Sequence, residues 1–154
     1  MTYNLKLGHK AVKFAYANRS TDVALNSTSV YSNVQYALTT LSGSTGLQAT
    51  LSSGDIVLAD KIYHGFFHPT SGGDDAFSMS VFINGSSLST QRYLAKTFAN
   101  PPSNRTTRSM PLFFSYVATS GDVLSIRYSK NPGSIYNIYS ASIGTNLFLM
   151  EVDK

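Results

Sequence analysis

One stretch constrains the fold more than any other: AFSMSVFINGSSLSTQRY, residues 76–93. Phe77, Met79, Val81 and Ile83 alternate with other residues up to the pair Asn84-Gly85. A period of two puts these four side chains on one face of an extended strand. Asn-Gly is the favoured pair for a two-residue type I′ turn, in which both central residues have positive φ. Such a turn pairs Ile83 with Ser86, Val81 with Leu88, Met79 with Thr90 and Phe77 with Arg92. Large apolar side chains gain roughly 1.5–3 kcal/mol each on full burial, so a second layer must cover this face.

The same alternation recurs along the chain. Tyr3, Leu5 and Leu7 share a side, as do Val12, Phe14 and Tyr16, and then Val34, Tyr36 and Leu38. DIVLADKIYHGFF is a long apolar stretch that holds one or two strands before Pro69. Turn-forming residues cluster between the runs in LSGSTG, SGGDD and NPGS. The C-terminal third is expected to supply the covering layer. There PLFFSYVATSGDVLSIRYS breaks at Ser120-Gly121-Asp122, with Leu124, Ile126 and Tyr128 alternating afterwards, and IYNIYSASIGTNLFLMEV adds a strand pair broken near Gly144. Residues 146–152 are apolar on both sides, with Leu147 and Leu149 one way and Phe148, Met150 and Val152 the other. That pattern fits a central strand, or one that also meets another subunit. No helical period of useful length and no tandem repeat is present, and FANPPSNRTTRSMP is irregular because its prolines prevent regular pairing. Composition agrees: only 13% of residues are charged, Glu151 is the one glutamate, and serine plus threonine make up about a quarter of the chain. The expectation is an all-β fold in a single domain, residues 1–154, with about eight to ten strands in a two-sheet antiparallel β-sandwich of the jelly-roll kind.

The order of segments carries a resemblance. GFFHPTSGGDDAFSMSVFINGSSL resembles the jelly rolls of the tumour-necrosis-factor (TNF) and complement globular-head family, in which a Gly-x-Phe-x-x-Pro strand end precedes a Gly-containing turn, an alternating strand and an Asn-Gly hairpin. PLFFSYVATSGDVLSIRYS is similar to that family's apolar strand, Gly-Asp turn and alternating strand. NLFLMEV is similar to its last strand, which lies near the trimer axis. The likeness covers residues 62–152 and implies a TNF-like jelly roll that forms a compact homotrimer. Domains of this kind recur as heads, spikes and fibre knobs on viruses.

Reactive chemistry is sparse. With no cysteine, the chain has no disulfide, thiolate ligand or thiol nucleophile. His64 and His68 are four residues apart, but on a strand that spacing is about 13 Å, too far for one metal ion. Asp74 and Asp75 in a Gly-rich loop read as turn formers rather than a calcium site, and Asp122 after Gly121 does too. Asn18, Asn26, Asn84 and Asn104 each begin an Asn-x-Ser/Thr triplet, which a Ser/Thr-rich chain produces by chance. No nucleophile elbow, phosphate loop or zinc-protease motif occurs, so the chain is read as a non-enzyme with no metal and no cofactor.

The net charge of +4 is unevenly placed, with no acid between Asp75 and Asp122 while Arg92, Lys96, Arg105 and Arg108 fall there. A basic stretch suits an anionic partner. Arg105, Arg108, Arg92 and Tyr93 are therefore the ligand-binding candidates, toward a host-surface glycan. Phe148, Met150, Val152, Tyr116 and Tyr128 are the trimer-interface candidates. Nucleic acid ranks third as a partner, for want of a recognisable motif. No apolar run is long enough for a signal peptide or a membrane span, so neither standard secretion nor membrane insertion is expected. The function expected is a non-enzymatic virion protein, a capsid decoration, spike or receptor-binding head that contacts itself and other virion proteins. A stand-alone carbohydrate-binding module is the alternative.

Overall fold

Alternating apolar residues, few charges and frequent turn formers leave the chain little option but to pair as strands. The computed structural model describes residues 11–26, 28–73, 77–88, 111–130, 132, 135–138 and 145–154, and among these it contains fourteen strands and no helix. One sheet has five strands in the order β11 (Leu112–Val117), β7 (Ile62–His68), β14 (Asn146–Val152), β1 (Val12–Asn18) and β4 (Thr40–Gly43). The second runs β10 (Ser86–Ser87), β9 (Phe77–Ile83), β12 (Val123–Lys130), β6 (Asp55–Val57) and β5 (Thr50–Ser52), with β3 (Tyr31–Gln35) also paired to β12. A small third sheet joins β2 (Val23–Ala24), β13 (Ile135–Ile138) and β8 (Ser71–Gly73). The pairings in all three sheets are antiparallel.

The Asn-Gly hairpin forms as its sequence demands. Asn84 has φ 50° and Gly85 has φ 79°, Ser86 stands opposite Ile83, and the Leu88 N–H donates to the Val81 carbonyl at 2.9 Å. Thr90 and Arg92, the expected partners of Met79 and Phe77, lie outside the described residues. Met79 and Val81 are fully buried.

The source of the covering layer needs one correction. β12 lies beside β9 in the same sheet, with Ile126 opposite Val81 and Tyr128 opposite Met79, so it extends the apolar face rather than covering it. Residues directly opposite in an antiparallel pair project to the same side of the sheet. The cover comes from Leu112, Phe67, Leu147, Leu149, Ala15 and Ala17 of the five-stranded sheet, all buried. Tyr36, just past β3, meets Phe67 of β7 edge-on, ring centroids 5.9 Å apart.

The strand count exceeds the expected eight to ten because turns cut the sheets into short pieces. Ser53 (φ 50°) and Gly54 (φ 84°) divide residues 50–57 into the hairpin β5–β6, and the third sheet is built of strands of two to four residues. The final strand, β14, occupies the centre of its sheet between β7 and β1, as its two-sided apolarity anticipates. Beside it, β7 carries Gly65, where a Cβ would fall 2.5 Å from Phe114 Cζ and 2.7 Å from the Phe148 carbonyl oxygen. The missing side chain lets the Phe114 ring lie over the strand.

Candidate self-association face

Register lines up the side chains that point away from the core of the five-stranded sheet. Phe113, Phe66, Phe148 and Tyr16 form one row across β11, β7, β14 and β1. The next row is Ser115, His64, Met150 and Phe14, and the third is Val117, Ile62, Val152 and Val12. Alternation forces this outcome: inward residues on the same strands fill the core, so these point the other way.

The rings in this face contact one another. Phe66 stacks on Phe148 with centroids 4.6 Å apart, Phe113 lies tilted 5.7 Å from Phe66, and Tyr16 meets Phe148 edge-on at 5.1 Å. Phe14, Phe66, Phe113, Phe148 and Met150 border a groove of about 620 Å³. Phe14 remains 60% exposed, Phe113 65% and Val117 62%. Near the middle of the face, Ser115 Oγ lies 2.9 Å from His64 Nδ1.

The outer side of the other sheet has a different chemistry. Ser80, Arg127 and Ser129 face outward there, and the Arg127 guanidinium sits 5.4 Å from the centroid of the Phe82 ring, shielding it. Among the described residues, aromatic surface left open is therefore concentrated on the five-stranded sheet. Contiguous exposed apolar patches of this kind mark contact surfaces.

One end of the five-stranded sheet is closed by polar interactions. Glu151 is buried, and its Oε2 accepts from the Ala49 N–H at 3.0 Å and from the Tyr63 hydroxyl at 2.8 Å. The Gln48 N–H shares both carboxylate oxygens at 3.2 Å. Burial pushes the Tyr63 hydroxyl well above the ordinary phenol range, and the Glu151 carboxylate adds to the effect. Lys61 Nζ donates to Asp153 Oδ1 at 2.6 Å, which raises the lysine pKa, and Lys154 pairs with Asp60. These groups are engaged in holding strands and the chain end together.

Of the residues singled out from sequence, Phe148, Met150 and Val152 come together on the outer face. Tyr116 and Tyr128 do not join them. Tyr116 faces inward beside Tyr63 and donates to Asp122 at 2.8 Å, and Tyr128 is buried in the six-stranded sheet, packed near Tyr31. Their strands are alternately apolar, and both tyrosines fall on the core phase. Arg92, Tyr93, Arg105 and Arg108 lie outside the described residues, as do Asp74 and Asp75. His64 and His68 share β7 but sit in different rows, one beside Met150 and the other beside Asn146. Among the described residues, no three His, Asp or Glu side chains gather as a metal-holding group, and no helix is long and apolar enough to cross a membrane.

Phe14, Phe66 and Phe113 complete the face, and no sequence argument had assigned them to it. The doublets Phe66-Phe67 and Phe113-Phe114 conceal the phase, since adjacent residues on a strand point to opposite sides. Register assigns Phe67 and Phe114 to the interior and their neighbours to the exterior.

Sheet order and register define the class of fold: a two-layer antiparallel jelly roll of the TNF type. No protein-family model and no curated protein matches the chain. Solved structures do. The chain is similar to the Eiger TNF of S. frugiperda, with a TM-score of 0.58 and 11% identity over 94% of both chains. It is also similar to murine APRIL, with a TM-score of 0.55 and 12% identity over 92% of this chain and 99% of that one. At such identities the likeness is one of fold.

Proposed function

We propose that the protein is a non-enzymatic structural and recognition module in which three copies of the jelly roll join through the aromatic face of the five-stranded sheet. The observation that carries this reading is the row Phe113–Phe66–Phe148–Tyr16 with Phe14 and Met150 beside it, in which Phe14, Phe113 and Phe148 are exposed and the others half-buried, while the outer side of the other sheet carries Ser80, Arg127 and Ser129. A second copy of the chain is the partner that such a surface suits best, because rings lying near a three-fold axis meet their own counterparts from the neighbouring copies. The stoichiometry of three follows from the TNF-like resemblance.

The assembled head acts on a virus particle, as a capsid decoration, spike or receptor-binding knob, in contact with other virion proteins. A low content of charge, the absence of cysteine and the lack of an organised acid, base or nucleophile support this reading over an enzymatic one. Sedimentation from high concentration to high dilution tests the assembly. A persistent trimer supports the proposal, and antibody labelling of purified particles then locates it. A monomer at all concentrations overturns it and directs attention to glycan binding instead.

A further inference from the structure

We propose that His64 makes assembly through this face sensitive to acid, so that the oligomer holds at neutral pH and separates near pH 5.5. This inference rests on the self-association reading above. His64 sits in the middle row of the outer face, between Ser115 and Met150, with Phe14 beyond Met150. It also borders the aromatic groove and is exposed in the single chain.

Among the described residues, its surroundings provide no charge to balance an imidazolium. From β11 the facing residues are Phe113, Ser115 and Val117, from β14 Phe148, Met150 and Val152, and from β1 Val12, Phe14 and Tyr16. The other titratable groups on this face are Tyr16 and His68, in other rows, and Tyr16 donates to Asn146. The Lys61–Asp153 pair lies past the end of the face, beyond Ile62 and Val152. No carboxylate faces His64 among the described residues. Ser115 Oγ can donate to a neutral imidazole at Nδ1 or accept from a protonated one, so this contact does not by itself exclude the proton. Loss of water does: a cation sealed among phenylalanines and a methionine is strongly disfavoured.

A free imidazole takes up a proton near pH 6.5, whereas one sealed in an apolar contact must remain neutral. Protonation therefore opposes covering of the face in each of the three subunits, and acid weakens assembly. The neutral form is the assembled form, so association is retained at neutral pH and lost in acid.

The test is sedimentation of the full chain at pH 7.5 and pH 5.5, with near-UV circular dichroism at both to follow the fold. The variants are His64→Gln, which cannot be protonated, and His68→Gln as a control. Wild type and His68→Gln should dissociate at pH 5.5 while keeping their tertiary spectrum, and His64→Gln should stay assembled at both pH values. A wild-type oligomer indifferent to pH overturns the switch and leaves the self-association reading intact. So does a His64→Gln variant that dissociates as wild type does, or wild-type dissociation that accompanies loss of the tertiary spectrum. A wild-type monomer at pH 7.5 overturns both.

Discussion

Asn84 Nδ2 donates to Asp122 Oδ1 at 2.8 Å, tying the type I′ turn of one hairpin to the Gly-Asp turn 38 residues further along. Asn84 Oδ1 accepts from the Val123 N–H at 2.9 Å, and Asp122 Oδ2 accepts from the Thr119 N–H and the Tyr116 hydroxyl, each at 2.8 Å. Two turns and the strand β11 are thus joined at one carboxylate. The donors from Asn84, Thr119 and Tyr116 stabilise the charged form and hold the Asp122 carboxyl below its ordinary value. Its contribution to stability is therefore complete above the ordinary aspartate range near pH 4 and is lost as pH falls through the depressed folded value. Asp122→Ala should lower the melting temperature at pH 7 and flatten its decline below pH 4. Thermal melts from pH 7 to pH 2 decide the matter, and parallel curves for the two proteins would refute the assignment.

Val81 is wholly buried between the sheets, opposite Ile126. Val81→Asp places an unpaired charge there, a cost that exceeds the marginal stability of an ordinary domain. No cooperative unfolding transition should be observable. A soluble variant that melts sharply would show that the hairpin presents its other face to the core.

Phe14 and Phe113 protrude from the aromatic face and contribute little to the core of a single chain. Phe14→Ser and Phe113→Ser should each leave the melting temperature of dilute protein nearly unchanged. Each should weaken self-association about tenfold or more, in line with roughly 1.5–3 kcal/mol for a buried phenylalanine. Sedimentation equilibrium measures this directly, and unchanged association in the double variant would place the contact elsewhere.

Glu151 provides the acceptor for the Ala49 N–H and the Tyr63 hydroxyl in a buried setting. Removing one partner of a buried hydrogen bond costs about 1–3 kcal/mol for each group left unsatisfied. Glu151→Ala should therefore destabilise the fold by about 2–6 kcal/mol in urea titration. Glu151→Gln, which keeps an acceptor oxygen, should lose less.

Much of this architecture was legible in one dimension. Alternation in residues 77–83 and the Asn84-Gly85 pair specify a hairpin, because strand period and turn chemistry are local properties of the backbone. The two-sided apolarity of residues 146–152 likewise anticipates a central strand. What local pattern cannot convey is which sheet a strand joins and which way a doublet points. β12 has the alternation of a covering strand, yet hydrogen bonding sets it beside β9, and the reason is topological. Tyr116 and Tyr128 look like interface residues by type, but strand phase turns them inward. Phe66 and Phe113 look like half of a core doublet, but the same phase turns them out. Strands, turns and an all-β sandwich follow from period, φ preference and propensity, all of them local to the chain. That Phe14, Phe66, Phe113 and Phe148 share one open face with His64 in its middle is a product of tertiary pairing, because their neighbourhood is created by register between strands distant in the chain.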